Sequence, residues 1–526
     1  MINILLGIGG TGAKVIESAL MLLMAGAGPA KTYVGLIDQD GANGNVSRTH
    51  RTLNDYLRFR QTWAEEAHPA HTLKWGTAHR GAIGDVDIEP LFEDAEDNNR
   101  ALWCPTKRSG TLRSLVGENM SAEQRALFDL LFMRGEEEQE LSHDKGYRGR
   151  AHVGATAMMA ALIDDDNRLM KRLRSLMEDP AHGPVNIFIV GSAFGGTGAA
   201  GFPTLARALH RLRRSPDFAN PNQVAIGGLL MLPYFSFKDP DEAGEAVVTS
   251  DEIMPKARLA LEFYDTLFQR EKTFDQFFTL GWPELLPLGY HEAGGPEQAN
   301  PAMPPEWLAA TSIMEFFATA ERPDPDDASP VRVRTSARMS PAIRWRNLAS
   351  GKGLMGARLI SLLRFCAYWR YMADPILDEK KFILRNWAQK QASRTQRDDA
   401  VDALKAVNTL ADDVLNWAAA IEYTAGPAFW EAGPWDLRPL RDPAHKATPT
   451  RPVRLLETVG SDIASQAIDR LIRNDDGETR ADTASVMYET LLRCDPPPGE
   501  HQGWGRTLAS VYLSAQQTTG EASHGR

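Results

Sequence analysis

Gly191-Ser192-Ala193-Phe194-Gly195-Gly196-Thr197-Gly198 follows a compact apolar run, Val185 to Val190, and leads into a segment of helical periodicity reaching about Leu212. An apolar run of that length suits a buried parallel strand. The glycines let the backbone turn tightly and approach a ligand without a Cβ in the way, and Thr197 adds a hydroxyl. A helix starting at such a turn aims unpaired N–H groups and its positive dipole end at whatever sits there, which favours an anion. The turn is not a P-loop, because no Gly-Lys-Ser or Gly-Lys-Thr follows.

The same grammar opens the chain. Ile2 to Leu6 is apolar, Gly7-Ile8-Gly9-Gly10-Thr11-Gly12 follows, and Val15, Ile16, Ala19, Leu20 and Leu23 recur at helical spacing. Gly7, Gly9 and Gly12 match G-x-G-x-x-G, a pattern that also serves plain strand-to-helix packing. Thr32 to Ile37 reads as a second strand and closes on Asp38-Gln39-Asp40-Gly41. Strand, glycine turn, helix and strand begin a doubly wound α/β domain. Taken alone, the first turn fits a Rossmann-type NAD(P) protein using Gly7, Gly9, Gly12 and Asp38. Two such turns, each closing a strand, fit one nucleotide held by several loops of a large sheet.

The pattern continues with strands over Val224–Leu232 and Phe277–Gly281. Helices are expected over about Gly154–Met177, Ala257–Leu267 and Pro305–Ala320. The acidic runs Asp85–Asp97 and Glu136–Glu140 read as solvated faces. Glu321 to Pro330 reads as a connection, and the chain beyond it changes character. Leu354–Met372 is apolar nearly all round, Val401 to Ile421 carries an apolar stripe, and helices follow near 461–473, 479–493 and 506–516. The expected organisation is a nucleotide-binding domain over 1–330, a mostly helical region over 331–515 and a polar tail over 516–526.

Phe194-Gly195-Gly196-Thr197-Gly198-Ala199-Ala200 resembles the signature of the tubulin/FtsZ superfamily: a small residue, Gly-Gly-Thr-Gly, a small residue and Gly. The central four residues match, while Phe194 and Ala200 depart at the ends. Pro203 falls where the FtsZ pattern has a proline. The order also matches, with a glycine loop after the first strand, an acidic loop after the second and the phosphate loop after the fourth. The chain thus looks like a divergent bacterial tubulin-like protein over about 1–330. The resemblance implies an α/β tubulin-like domain with a mainly parallel sheet and a GTP/GDP ligand, with Mg²⁺ beside the phosphates. Gly9, Gly10, Thr11 and Gly12 would approach the α/β-phosphates. The turn from Gly191 and Ser192 through Gly195, Gly196, Thr197 and Gly198 would grip the phosphate chain. Asp38 and Asp40 would lie near the phosphates and metal, and Gly146 to Arg150, with Arg148 and Arg150, would take the γ-phosphate-sensing place. The family's hydrolytic Asn-x-Asp pattern has no clean copy; Asp324, Asp326 and Asp327 lie in about its position, where a solvated linker is the better reading. Guanine preference and self-assembly follow from the resemblance alone, and partners of the helical C-terminal region are open. A non-catalytic nucleotide-binding scaffold is the remaining alternative.

Of the 526 residues, 43% are hydrophobic and 24% charged, enough for large cores. Lys plus Arg total 58 against 69 Asp plus Glu, a formal charge of −11 that argues against general nucleic-acid binding. Cys104, Cys366 and Cys494 are too few and scattered for a disulfide framework, which fits a cytoplasmic chain. Ala19 to Ala27 is too short to span a bilayer, and Lys14 and Glu17 interrupt any leader-like run. His68, His71 and His79 lack the partners of a metal site. Arg48, His50, Arg51, Arg58 and Arg60 read as an exposed helix face, with partner or nucleic-acid contact as the alternative. Trp369, Trp417, Trp430 and Trp435 read as packing residues.

Overall fold

The computed structural model describes residues 1–65, 83–95, 99–106, 110–116, 120–164, 166–238, 250–282, 284–290, 294–321, 332–336, 343–348, 354–378, 387, 401–448, 451–493 and 503–519. The first strand, β1 (Ile2–Ile8), is buried at every position. It is followed by α1 (Gly9–Met24), β2 (Lys31–Ile37), α2 (Gly44–Glu65), β3 (Asp87–Pro90) and β4 (Leu102–Trp103). Short helices α3 (Leu112–Val116) and α4 (Ala122–Leu131) precede α5 (Ala151–Ile163) and α6 (Arg168–Glu178). The sheet resumes with β5 (Val185–Ser192), α7 (Gly196–Arg213), β6 (Val224–Met231), β7 (Phe235–Lys238) and α8 (Ser250–Arg270). Then come β8 (Gln276–Leu280), β9 (Leu286–Tyr290), α9 (Pro304–Thr319) and β10 (Arg332–Ser336).

The fold is α/β around an eight-stranded sheet in the order β10-β8-β6-β5-β1-β2-β3, with β4 also on β2, while β7 and β9 form a separate pair. The pairings in the main sheet are parallel. A parallel sheet must be covered on both faces, and alternate residues of β1 show how. Leu5 enters one core with α1, α9 and the C-terminal helices. Ile4, Leu6 and Ile8 enter the other with Leu169 and Leu173 of α6 and Leu205 and Leu209 of α7. The helix α1 is buried almost all round, as expected of a helix wedged between a sheet and further helices.

The sheet order locates a ligand crevice. From β1 the chain moves outward through β2 and β3, then returns to place β5 on β1's other side. This reversal is the topological switch point at which doubly wound sheets bind ligands, beyond the strands' carboxyl ends. Gly7 of β1 stands level with Val190 of β5, so both glycine turns leave the sheet at one edge.

Several elements differ from the sequence expectation. The helix expected over 154–177 is two helices, because Asn167 caps a new start: its Oδ1 accepts from Met170 N–H at 2.9 Å. The second glycine turn follows the fifth described strand rather than the fourth, since β3 and β4 are too short to stand out by pattern. Glu138, in a run read as solvated, is buried, with its carboxylate on His152 Nε2 at 2.8 Å. Arg48 does not lie on an open helix face; it holds Glu17 through two bonds of 2.7 and 2.8 Å.

The C-terminal region is mostly helical. It comprises α10 (Leu354–Tyr368), a π-turn over Trp369–Ala373, α11 (Asp374–Asp378), α12 (Val401–Ala425), α13 (Pro427–Ala432), α14 (Ser461–Leu471), α15 (Thr483–Arg493) and α16 (Gly503–Gln517). It packs onto α1, α2 and α9 in one continuous core. Trp417 Nε1 donates to Ser18 Oγ at 3.0 Å, and Trp435 stacks between Trp307 and Trp417 at 4.8 and 6.1 Å. Trp369, Trp417 and Trp435 are buried, and Trp430 donates to the Glu422 carbonyl. Among the described residues no helix is long and apolar enough to cross a membrane.

Candidate functional site

A cleft lies at the switch point, with about 890 Å³ of atom-free space that opens to solvent. Its floor is made by the N-termini of α1 and α7. Neither end has a side-chain cap, so their first N–H groups are left for water or a ligand. The two turns touch. Gly9 has φ +74°, and a Cβ there would stand 3.1 Å from Gly198 N. Only glycine meets both the dihedral and the approach. Two helix dipoles therefore converge on one small volume, the arrangement that favours a multiply charged anion.

The acidic loop after β2 forms the wall beside this floor. Thr197 Oγ1 donates to Asp38 Oδ1 at 3.1 Å, and Asp40 N–H donates to the same oxygen at 3.2 Å. Asp40 in turn accepts from Ala42 N–H at 3.1 Å and Gly295 N–H at 2.5 Å. Burial first, and then the Asp40 carboxylate, push the Asp38 carboxyl up to about 7. Asn43 Nδ2 donates to Gln298 Oε1 at 2.5 Å, tying this loop to residues 294–300. Lys145 and Arg148 also line the cleft, and a Cβ on Gly146 between them would stand 3.7 Å from Asp40 Cβ. Arg148 is the one non-glycine residue at positive φ (+44°) among those described, and its Nη2 lies 3.7 Å from Asp144. A Cβ on Gly196 would meet Gly149 N at 2.9 Å, so the α7 turn needs glycine to let this segment close on it.

The inner wall holds a group whose pattern gave little warning. Lys14, one turn into α1, is 2% exposed and pairs with Glu306 at 2.5 Å. Burial, the largest influence, lowers the Lys14 ammonium below its ordinary range, against the opposing charge of Glu306. Glu306 also accepts from Tyr234 Oη at 2.6 Å and from Met303 N–H at 2.9 Å, which caps α9. A chain of polar contacts thus runs from the cleft to the N-terminus of α9.

Gly9, Gly10, Thr11, Asp38, Asp40, Arg148, Ser192, Gly195, Gly196, Thr197 and Gly198 all line this one cleft. Gly7, Gly12, Gly191 and Arg150 are not part of its lining. Gly7 and Gly12 serve packing instead: a Cβ on Gly12 would meet Gly7 C and Val190 O at 2.9 Å. Gly191 packs on Phe202, and Arg150 precedes α5 as its N-cap residue. Asp324, Asp326 and Asp327, and also His68, His71 and His79, lie outside the described residues. Lys14, Tyr234, Asn43, Gln298 and Glu306 escaped the sequence reading. Only the asparagines of Asn43-Gly44-Asn45 carried a usable signal, as turn residues closing the acidic loop.

Among the described residues no group of three or more His, Cys, Asp or Glu could hold a metal by itself. Asp38 and Asp40 offer two carboxylates, which is what Mg²⁺ takes from a protein when phosphates and water complete its octahedron. Together, uncapped helix ends, lining cations and paired carboxylates can bind a polyphosphate with a divalent cation. No family model, curated protein or solved structure matches this chain.

Proposed function

We propose that the chain is a tubulin/FtsZ-like protein that binds GTP and GDP with Mg²⁺ in the switch-point cleft. The observation that carries the reading is the meeting of the two glycine turns, with Thr197 of the second bonded to Asp38 of the acidic loop. An NAD(P) site of Rossmann type uses one glycine turn and leaves its acidic residue for a ribose. Here Asp38 is engaged by the second turn and sits beside Asp40, which favours a metal-bridged phosphate over a ribose hydroxyl. The sheet order suits either class; the second turn is what separates them.

Self-association, and hydrolysis of GTP at a subunit interface, belong to the same proposal. Leu127, Leu130 and Leu131 on α4, with Met133 after it, are each more than half exposed, an apolar surface of the kind that association covers. The test is mass-spectrometric identification of the nucleotide that co-purifies with native protein, followed by thermal unfolding with added ligands. A ligand at a hundred times its Kd stabilises the native state by about 2.7 kcal/mol. GTP or GDP with Mg²⁺ should raise Tm and NAD(H) should not. Stabilisation by NAD(H) alone would transfer the cleft to the dehydrogenase class.

A further inference from the structure

A second cleft, with about 1260 Å³ of atom-free space that opens to solvent, lies wholly within the C-terminal region, between α10, the turn over residues 472–480 and the end of α16. Arg364 of α10 is inside it and only 5% exposed. Its Nη1 donates to Thr518 Oγ1 at 2.9 Å, while its Nε is buried and meets no acceptor among the described residues. Buried arginines ordinarily face a carboxylate. Among the described residues this one does not: the charged group that acts on it is a second cation, Arg480. Burial, and then that neighbour, lower the Arg364 guanidinium to about 10.

The local acids do not compensate it. Asp475 Oδ1 accepts from Arg346 N–H at 3.2 Å, and Glu478 Oε2 from Asn474 Nδ2 at 3.3 Å, both within the cleft's polar rim. Asp482 takes Arg480 Nε at 2.7 Å, leaving Arg480 Nη1 3.5 Å from the Thr518 carbonyl. The C-terminal end of α16 supplies carbonyls near both arginines, but a helix end carries only about half a charge. Among the described residues Arg364 is thus a buried cation of the cleft with no ion-pair partner. Thr518 cannot neutralise it, because its hydroxyl proton is spent on the Ala515 carbonyl at 2.6 Å.

The other wall is apolar. Trp345 is held by its Nε1, which donates to the Arg473 carbonyl at 2.7 Å, and Ile360 and Gly356 line the cleft with it. A Cβ on Gly356 would touch the Trp345 ring at 3.4 Å, so glycine keeps that face clear.

We propose that this cleft binds a phosphorylated small molecule, its phosphoryl oxygens on Arg364 and Arg480 and its body against Trp345 and Ile360. The planar guanidinium fork matches phosphoryl oxygens in pairs. Arg480 already faces Asp482, so the phosphoryl group supplies the charge that Arg364 lacks, and its three oxygens can reach both forks where a carboxylate has two. The proposal is independent of the nucleotide reading of the switch-point cleft.

Inorganic phosphate is the probe, titrated calorimetrically against chloride at matched ionic strength. The proteins compared are wild type, Arg480→Gln, Arg364→Met and Gly196→Val. Phosphate entering the switch-point cleft is removed by Gly196→Val, so the component belonging to the second cleft must survive that change. It should weaken at least tenfold in Arg480→Gln and vanish in Arg364→Met. In phosphate-free buffer Arg364→Met should melt no lower than wild type, because it removes an uncompensated charge, and phosphate should raise Tm in Gly196→Val but not once Arg364→Met is added to it. Arg480 is nearly half exposed, so its variant decides the matter even if Arg364→Met fails to fold. Heat no greater than dilution in Gly196→Val, phosphate binding unchanged in Arg480→Gln, or acetate binding as tightly as phosphate would each overturn the proposal.

Discussion

Replacing Lys14 with Met removes one partner of a pair that is 2% and 0% exposed, and the consequence can be worked from its surroundings. Glu306 would remain buried and charged, still accepting from Tyr234 Oη and Met303 N–H at the N-terminus of α9. Breaking a buried ion pair from one side costs about 3–5 kcal/mol. The two remaining donors and the helix dipole soften the loss, so Lys14→Met should fall near about 3 kcal/mol. The reverse change, Glu306→Gln, strands the ammonium. Lys14 then escapes by losing its proton, and holding it neutral at pH 7 against an ordinary value of 10.5 costs about 5 kcal/mol, a ceiling on the penalty. In that variant the unfolded chain binds the extra proton, so stability rises with pH, by about 1.4 kcal/mol per unit, until the ordinary value is reached. The double variant Lys14→Met/Glu306→Gln buries no charge and keeps two hydrogen bonds at residue 306, the amide oxygen accepting from Met303 N–H and its NH2 donating to Tyr234 Oη. It should lie within about 1 kcal/mol of wild type, giving a coupling energy of at least about 3 kcal/mol. Urea unfolding without added nucleotide measures all four proteins, with far-UV circular dichroism and tryptophan fluorescence required to coincide. Additive single effects, or a loss below about 1 kcal/mol in Lys14→Met, would refute the reasoning.

Three further outcomes are expected. Thr197→Val removes the hydroxyl that joins the second turn to Asp38 and should weaken GTP binding at least tenfold, about 1.4 kcal/mol, by calorimetry with little change in Tm; equal affinity would take this turn out of the site. Asp413 on α12 is driven up to about 7, chiefly by burial and despite Arg51, and hydrogen-bonds Asp55 of α2. A raised carboxylate value means that the folded state binds more protons between about pH 4 and 7, so stability falls as pH rises through that window. Asp413→Asn should match wild type near pH 4 and exceed it at pH 8 by no more than about 4 kcal/mol, and a parallel pH profile would rule out this source. If GTP is hydrolysed at a subunit interface, turnover per subunit should climb with protein concentration and disappear in an Asp324/Asp326/Asp327→Ala variant that still binds nucleotide. Turnover independent of concentration would exclude a shared site.

What the sequence revealed, and what it hid, follows from how far apart the cooperating residues are. The glycine turns were legible because each is local: strand, turn and helix occupy about twenty consecutive residues, and their apolar spacing states the element type. Their meeting was not legible, since the approach of Gly9 to Gly198 depends on β1 pairing with β5 across almost two hundred residues. Length also limited the strands. Val185–Ser192 announces itself, whereas two-residue β4 and the Arg332-Val333-Arg334-Thr335-Ser336 strand carry no pattern that a loop lacks. Lys14 shows the deeper obstacle. On a mostly apolar helix a lysine reads, like Glu17, as an interruption of the buried face, and its partner Glu306 lies on a helix with an equally ordinary N-terminus. Only the fold puts the two charges 2.5 Å apart and out of water, where neither would be stable alone. The same logic applies to Arg364: an arginine in a largely apolar helix is unremarkable by spacing, and it becomes informative only once the fold shows that, among the described residues, no acid bonds it. Chemistry that rests on an absence of partners is invisible until the chain is folded, which is why the second cleft emerged from packing and the first from pattern.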